Sequence, residues 1–478
     1  MENTENTRFL GEANISRLLL KFSLPCVLSL LISSLYNIVD QIFIGNSELG
    51  YLGNAATTIV FPITIISVAV AWCFGDGAAA YLSIAQGRKN TEHSHQSIGN
   101  AIGATFIASL LFAGAGFLFK DKVLYAFGAS EATIGLARDY FTIILIGIPA
   151  YMLMNMMNAV IRADGSPAFS MASMLTGAVI NVILDPVFIF GFHWGIKGAA
   201  WATIIGQAAA FIISFAYFFR SKTFRVCRKS FAPNTRLFGS VVKLGASTFI
   251  TQMSIVIISL VCNIMLVKYG AASKYGQDIP IAVIGIAMKV FTIVINLVVG
   301  VILGGQPILG YNFGAGNYKR VKETFGLALG ATVIVGLLAT LVFELRPQAV
   351  IGLFGKESDL YDEFARRTFR VFLSLVTFTC VTKMTAIFFQ AVGQPSKAAA
   401  VSLSRDIALF VPLVILLPIS MGIEGALWAA PIADAVGIGI TAALVTRFFK
   451  SLGEAEKTAG QSADIPAVQP TKPGVISP

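Results

Sequence analysis

Long apolar runs almost free of charge set the first limit on this chain. Twelve such blocks can be marked, at 18–44, 56–84, 97–119, 139–161, 168–192, 198–219, 241–268, 280–310, 325–345, 368–391, 400–420 and 425–449. At about 1.5 Å per helical residue, each is long enough to cross a hydrocarbon core of roughly 30 Å. Lipid offers the backbone no hydrogen-bond partners, so the blocks are expected to be helices. Composition agrees: 13% of the 478 residues are charged, against about a quarter in soluble domains. The expected class is an all-α polytopic membrane protein with twelve transmembrane helices.

Charge between the blocks orients them. A basic stretch carries Arg220, Lys222, Arg225, Arg228, Lys229, Arg236 and Lys243, while the loop at 45–55 has no Lys or Arg. Basic loops stay in the cytoplasm, so both termini are expected there, in a multi-pass protein of the inner or plasma membrane. Arg88, Lys89, Lys319, Arg320 and Lys322 agree; the 346–370 loop, with Arg346, Lys356, Arg366, Arg367 and Arg370, is an exception. The opening "MENTENTRFLGEANISR" lacks the basic start and short apolar core of a cleaved signal peptide. The expected divisions are a cytoplasmic segment 1–17, a first lobe 18–225, a basic linker 226–240, a second lobe 241–450 and a disordered tail 451–478 with four prolines.

The chain repeats itself. "QGRKNTEHSHQSIGNAIG" at 86–103 aligns with "NFGAGNYKRVKETFGLALG", placing Gly87, Asn90, Gly99 and Gly103 on Gly314, Asn317, Gly326 and Gly330 at an offset of 227. "GIKGAAWATIIGQ" meets "GIEGALWAAPIAD" at the same offset, and "RADGSPA" meets "QAVGQPS" at 228. Six helices per half return the chain to its starting side, so the halves are parallel copies. Two six-helix lobes related by a pseudo-twofold axis along the membrane normal are expected, an arrangement suited to alternating access.

Several function classes are excluded. The net charge of +10 is concentrated in the basic loop, which membrane topology explains, so nucleic acid is not an expected partner. Cys26, Cys73, Cys227, Cys262 and Cys380 show no paired spacing. His93, His95 and His193 fall in expected loops with no HExxH, and "FGAGN" at 313–317 lacks the Lys-Ser/Thr of a phosphate loop. Neither an enzyme nor a nucleotide-driven pump is indicated.

What remains is charge inside the spans. Asp185 lies within "TGAVINVILDPVFIFGF", and an ionised carboxylate in hydrocarbon is expensive unless it has a function. Counting from span ends puts Asp40 about 7 Å, Asp185 about 10 Å and Thr203 about 7 Å from the same outer surface. Asn181 lies one helical turn from Asp185, on the same face. These four oxygen-bearing residues suit a hard cation such as Na⁺, or a proton shared between the two acids. Tyr140 and Tyr36 are candidate supporting donors. Met154, Asn155, Met157 and Asn158 are candidate liners of a substrate cavity. The second lobe lacks the acid pair; Lys289, Lys383, Arg405, Asp406 and Asp434 lie in or near its spans, with Asp434 the best alternative proton or cation group there and some of the others expected to form ion pairs.

The motifs "SLP" at 23–25, "VDQIFIG" at 39–45, "RADGSP" at 162–167, "NVILDPVFIFGF" at 181–192 and "GIKGAAWAT" at 195–203, with the six-plus-six repeat, resemble the multidrug and toxic compound extrusion (MATE) family. The resemblance runs to about residue 450. It implies export of organic, often cationic and amphipathic compounds, driven by inward H⁺ or Na⁺. In the bacterial branch with a first-lobe cation site, the family's coupling residues fall on Asp40, Asn181, Asp185 and Thr203. A second branch has acids in spans seven and ten; here span seven has none and span ten carries Lys383, which argues against a second-lobe Na⁺ site. The expected protein is a monomeric cation-coupled exporter of small organic cations, with no cofactor beyond the coupling ion. The alternative is a flippase for a lipid-linked saccharide, which would need a strongly cationic cavity.

Overall fold

The computed structural model describes residues 9–88, 91–276, 278–352 and 359–463. Lys89, Asn90, Lys356 and the prolines of the tail lie outside the described residues. The elements are α1 (Ile15–Gly45), α2 (Gly50–Gly87), α3 (Thr91–Ala126), α4 (Ile134–Ala163), α5 (Pro167–Gly191), α6 (Gly195–Tyr217), α7 (Thr235–Ala271), α8 (Asp278–Gly314), α9 (Tyr318–Leu345), α10 (Asp359–Phe372), α11 (Val376–Ala391), α12 (Pro395–Met421) and α13 (Ile423–Ala463). Eleven of these are long and apolar enough to cross a bilayer, and α10 with α11, bent by 50°, makes a twelfth span. No strand occurs among the described residues, as a lipid solvent requires of a chain that does not close a barrel.

Some boundaries differ from the sequence reading. Helix α1 begins at Ile15, capped by the Asn14 side chain accepting from Arg17 N–H. His93 and His95, expected in a loop, lie in the first turns of α3. Helix α7 starts at Thr235 behind an Asn234 cap, inside the stretch expected to be linker. Helix α13 runs on to Ala463, so 451–463 is helical and not the start of a disordered tail. Its polar composition masks this, because a helix leaving the membrane no longer needs apolar residues. All five cysteines are free.

The repeat is visible as matched turns and matched contacts. Gly165 and Gly393, repeat mates, adopt φ of 77° and 74°, the left-handed region that glycine enters without penalty. Pro167 and Pro395 then open α5 and α12, where a missing N–H costs nothing. More telling is the packing of α2 on α8. A β-carbon on Gly87 would lie 2.0 Å from the Tyr311 carbonyl oxygen, and one on Gly314 would lie 2.2 Å from that of Ile84. Both residue pairs are repeat mates, so each half presents to the other the contact it receives. That reciprocity is the mark of a twofold relation. Helix α8 runs antiparallel to α1, since Ser23, Val27 and Ser34 meet Gly304, Gly300 and Asn296, and α2 turns back on α1 after residues 46–49, so α2 and α8 run parallel, with the axis along them. The same symmetry pairs α1–α8 with α7–α2: a β-carbon on Gly304 would lie 2.4 Å from Ser23 Cα, and one on Gly77 2.2 Å from the Val241 oxygen. These backbone-level contacts join the lobes toward the end of the molecule that carries both termini, called here the terminal end.

Candidate functional site

In the first lobe, α1, α4, α5 and α6 converge near the opposite, distal end. Pro186 has no N–H, so it breaks the α-helical ladder of α5 one residue after Asp185. The backbone continues as a π-helical turn over Val187–Gly191, a distortion often found at functional sites. Helix α6 approaches closely because Gly177 and Gly206 face each other. A β-carbon on Gly206 would lie 2.5 Å from the Gly177 oxygen and 3.2 Å from Asn181 Cβ. This glycine pair sets the depth at which Asn181 meets α6.

The structure brings the carboxylates together. Asp185 is fully buried, Asn181 is 3% exposed and Asp40 is 9% exposed. Asn181 Nδ2 donates to Asp185 Oδ1 at 3.2 Å, and the Asp40 and Asp185 carboxyl groups are within hydrogen-bonding reach of each other. Thr203 Oγ1 donates to the Ala199 carbonyl at 2.9 Å, and its oxygen is hydrogen-bonded to Tyr140, which lies beside both acids and Tyr36. No protein donor reaches three buried oxygens of this cluster: Asp40 Oδ1, Asn181 Oδ1 and Asp185 Oδ2. Unpaired buried acceptors are costly. A set made only of oxygens, two of them carboxylate, fits a proton or a hard cation and offers nothing to a soft metal.

A cavity of about 50 Å³ adjoins the cluster, lined by Ser33, Tyr36, Met154, Asn155, Asn181 and Thr203 among others. Drug-sized pockets are about 300–1,000 Å³, so this space suits water or an ion and not a drug. Met157 and Asn158 are not on its wall. Met157 packs in a buried cluster with Met156 and Val160, and Asn158 Nδ2 bonds the Met154 carbonyl and Ser214 Oγ.

The second lobe treats its charges differently. Lys383 on α11 pairs with Asp406 Oδ2, Arg405 bonds Asp406 Oδ1 at 3.1 Å and Asp434 Oδ1 at 2.7 Å, and Thr379 Oγ1 also donates to Asp434 Oδ1 at 2.7 Å. Two bases meet two acids, so the network is neutral. Asp434, the alternative proton or cation group of the second lobe, is therefore held by Arg405 and Thr379. Asp406 lies in a second π-helical stretch, Ser404–Phe410, on the repeat mate of α5.

The sequence reading missed one group. Asp76, buried in α2, accepts from Thr248 Oγ1 of the second lobe at 3.3 Å, and Arg162 lies 3.7 Å from its other oxygen. Gln390 Nε2 continues the chain to Thr248 Oγ1 at 2.8 Å. The signal was present, an acid within "WCFGDGAAA", but its partner is 172 residues away. The motif residue Asp164 has a structural role: Tyr217 OH and the Lys222 and Thr223 N–H groups donate to it at 2.6–2.9 Å, pinning the interlobe linker.

A two-lobed helical membrane protein, sealed between its lobes at one end and holding an unsatisfied acid pair in one lobe, has the build of a secondary transporter. The MatE family model matches residues 25–187 and 247–416, and the chain belongs to this family, whose members are transporters and not enzymes. Over 433 residues the chain is 26% identical to "Multidrug export protein MepA" of Staphylococcus haemolyticus (strain JCSC1435), covering 90% of this chain and 93% of that protein. The MATE multidrug transporter DinF-BH, whose structure was solved as a ligand complex, superposes with a TM-score of 0.83 at 29% identity, covering 90% of this chain and 95% of that one. A MOP superfamily transporter from Pyrococcus furiosus Vc1 (DSM3638) shares the fold, with a TM-score of 0.86 at 19% identity over 95% of this chain and 99% of that one.

Proposed function

We propose that this transporter is a cation-coupled multidrug exporter that acts as a monomer in the plasma membrane, with its terminal end in the cytoplasm. Inward H⁺ or Na⁺ binds at Asp40, Asn181, Asp185 and Thr203, and amphipathic organic compounds leave between the lobes. The observation that carries this reading is the trio of buried oxygens on Asp40, Asn181 and Asp185 that no protein donor reaches. With both carboxylates ionised and empty, like charges face each other in a dry setting. A proton or Na⁺ neutralises them, and a ligand that binds one lobe conformation better shifts the population toward it. Pro25 and Pro186, inside α1 and α5, are points at which those helices can bend as the site fills.

Substrate chemistry follows from the relatives, among them proteins named for multidrug export and a solved multidrug transporter. The flippase alternative is not favoured. Of the three cations that a pyrophosphate cavity could have used, Lys383 and Arg405 are engaged by Asp406 and Asp434, and Lys289 alone does not make a strongly cationic cavity.

The test is transport in proteoliposomes under separately imposed proton and Na⁺ gradients. Ethidium export should follow one of the two gradients and vanish when that gradient is collapsed. Export that persists without either gradient would overturn cation coupling.

A further inference from the structure

Lys289 is a cation in the distal third of its span that the coupling site does not use. It lies eleven residues after Asp278, the first of the 37 residues of α8, about 16 Å along a helix of about 55 Å. It enters no ion pair or hydrogen bond among the described residues, and it is exposed. A lysine facing lipid there would have to stretch its ammonium to the interface to stay hydrated.

Its helix face shows where it sits. Ala282, Gly285, Lys289 and Thr292 are exposed and spaced three, four and three residues apart, which places them on one stripe. The stripe continues into the residues that touch α1. Asn296 Nδ2 donates to Ser34 Oγ at 2.7 Å, Gly300 packs on Val27 and Gly304 on Ser23. So α8 turns this face to the first lobe along its whole length, touching α1 toward the terminal end and standing free toward the distal end. Lipid-facing stripes look different. On α1 the exposed large side chains include Leu20, Leu24 and Leu28; on α9 they include Ile334, Leu338 and Leu345. The small and polar stripe on α8 therefore lines the interlobe cleft, with Lys289 toward the distal end.

The surroundings supply no counter-charge. Between 235 and 314, which covers α7 and α8, the only acid is Asp278. Asp406 and Asp434 are buried with Lys383 and Arg405. The cleft-side continuation of the Thr248 face of α7 presents Ser259 and Asn263, both exposed and uncharged. The register of the α1–α8 contacts sets Lys289 level with residues 38–41 of α1, but the Asp40 side chain is buried beside Asp185. The repeat mate of Lys289 is Pro62, so the cation belongs to one wall of the cleft only.

We propose that Lys289 is a specificity-determining residue that receives the carboxylate, or another anionic acceptor, of an amphipathic substrate, which makes zwitterions a preferred substrate class over plain lipophilic cations. This rests on the exporter reading above and names the chemistry its cleft selects. The polar neighbours Thr292 and Asn296 extend along the same stripe, and the remaining apolar part of such a molecule has the rest of the cleft.

The test compares norfloxacin, a zwitterion with a carboxylate, with ethidium, a permanent cation without one, in proteoliposomes holding the wild-type protein, Lys289→Gln, Lys289→Arg or Lys289→Glu. A charge-assisted hydrogen bond lost without leaving a buried orphan on the protein should raise the norfloxacin KM about tenfold in Lys289→Gln. Lys289→Arg should stay near wild type, and ethidium KM should fall slightly in Lys289→Gln and further in Lys289→Glu. Equal changes for both compounds, or an unchanged norfloxacin KM in Lys289→Gln, would overturn the assignment. If Lys289→Gln reaches the membrane poorly, the Lys289→Arg and Lys289→Glu pair decides it, because opposite shifts for the two compounds cannot arise from misfolding. Gradient-independent movement of ethidium in the wild type would instead count against the exporter reading itself.

Discussion

Asp40 and Asp185 are two buried acids without a base, whereas Asp406 and Asp434 are two buried acids held by Lys383 and a shared Arg405. The same residue type therefore has opposite tasks in the two lobes, and substitutions should separate them. Asp185→Asn should insert and fold but lose gradient-driven ethidium efflux at matched expression, and Asp40→Asn should do the same. The double variant should be little worse than either single, because interacting residues are not additive. Wild-type efflux from Asp185→Asn would remove this carboxylate from the coupling role. In the second lobe, Arg405→Met leaves Asp434 buried without its charge partner, which typically costs about 3–5 kcal/mol. Its thermal midpoint in detergent should fall by several degrees, while Asp40→Asn, which removes a like-charge neighbour, should leave the midpoint unchanged or raise it. Equal midpoints for Arg405→Met and wild type would mean that the second-lobe network contributes no stability.

Helices were legible in this chain because lipid removes the ambiguity between a buried helix and a buried strand. Asp40, Asn181, Asp185 and Thr203 could be placed at similar depth by counting from span ends, since a span has a fixed rise and a known length. What could not be read is rotation about the helix axis. The pairing of Lys383 with Asp406 and of Arg405 with Asp434, the Asp76–Thr248 contact and the burial of Met157 and Asn158 all depend on which way each helix turns. Depth and spacing do not report that. The π-helical turns after Pro186 and at Ser404 were also hidden, although Pro186 marked a break. The glycines, by contrast, carry readable information once the repeat is known. Gly77 and Gly245 let α2 and α7 touch at backbone level: a β-carbon on Gly245 would lie 1.6 Å from the Cys73 oxygen. Backbone cannot yield to that contact as a flexible side chain would. Gly245→Val should therefore open the terminal end. In a protein with its native cysteines replaced, Thr248→Cys should react with an impermeant maleimide from the terminal side faster in the Gly245→Val background. Equal labelling rates in both backgrounds would show that this glycine contact does not form the seal.

At the scale of the whole molecule, transport requires that the contacts closing one end be weak enough to break. The terminal end is closed by glycine packing, by Ser23 Oγ donating to the Val301 carbonyl at 2.8 Å, by Asn312 and Arg320 donating to the Leu10 and Ala13 carbonyls at 2.6–3.3 Å, and by a polar chain from Arg162 and Asp76 through Thr248 to Gln390. This chain links the lobes: Asp76 and Arg162 belong to the first, Thr248 and Gln390 to the second. Its one direct interlobe hydrogen bond, at 3.3 Å, contributes about 1 kcal/mol. That is small against the roughly 5.5 kcal/mol needed to move a population from 1:99 to 99:1. Thr248→Val should accordingly bias the equilibrium without locking it, raising the fraction open at the terminal end about fivefold. Spin labels on Arg220 and Lys319, both exposed near that end on different lobes, would report the two populations as two distances. Shifting the coupling-cation concentration should redistribute those distances in the wild type and in Thr248→Val, because the acid pair is intact in both. Asp185→Asn should hold one distribution whatever the cation concentration, since the group that senses the load is gone. If Asp185→Asn responds as the wild type does, the lobes are not moved by charge at the acid pair, and the link from Asp185 to the opening of the cleft fails.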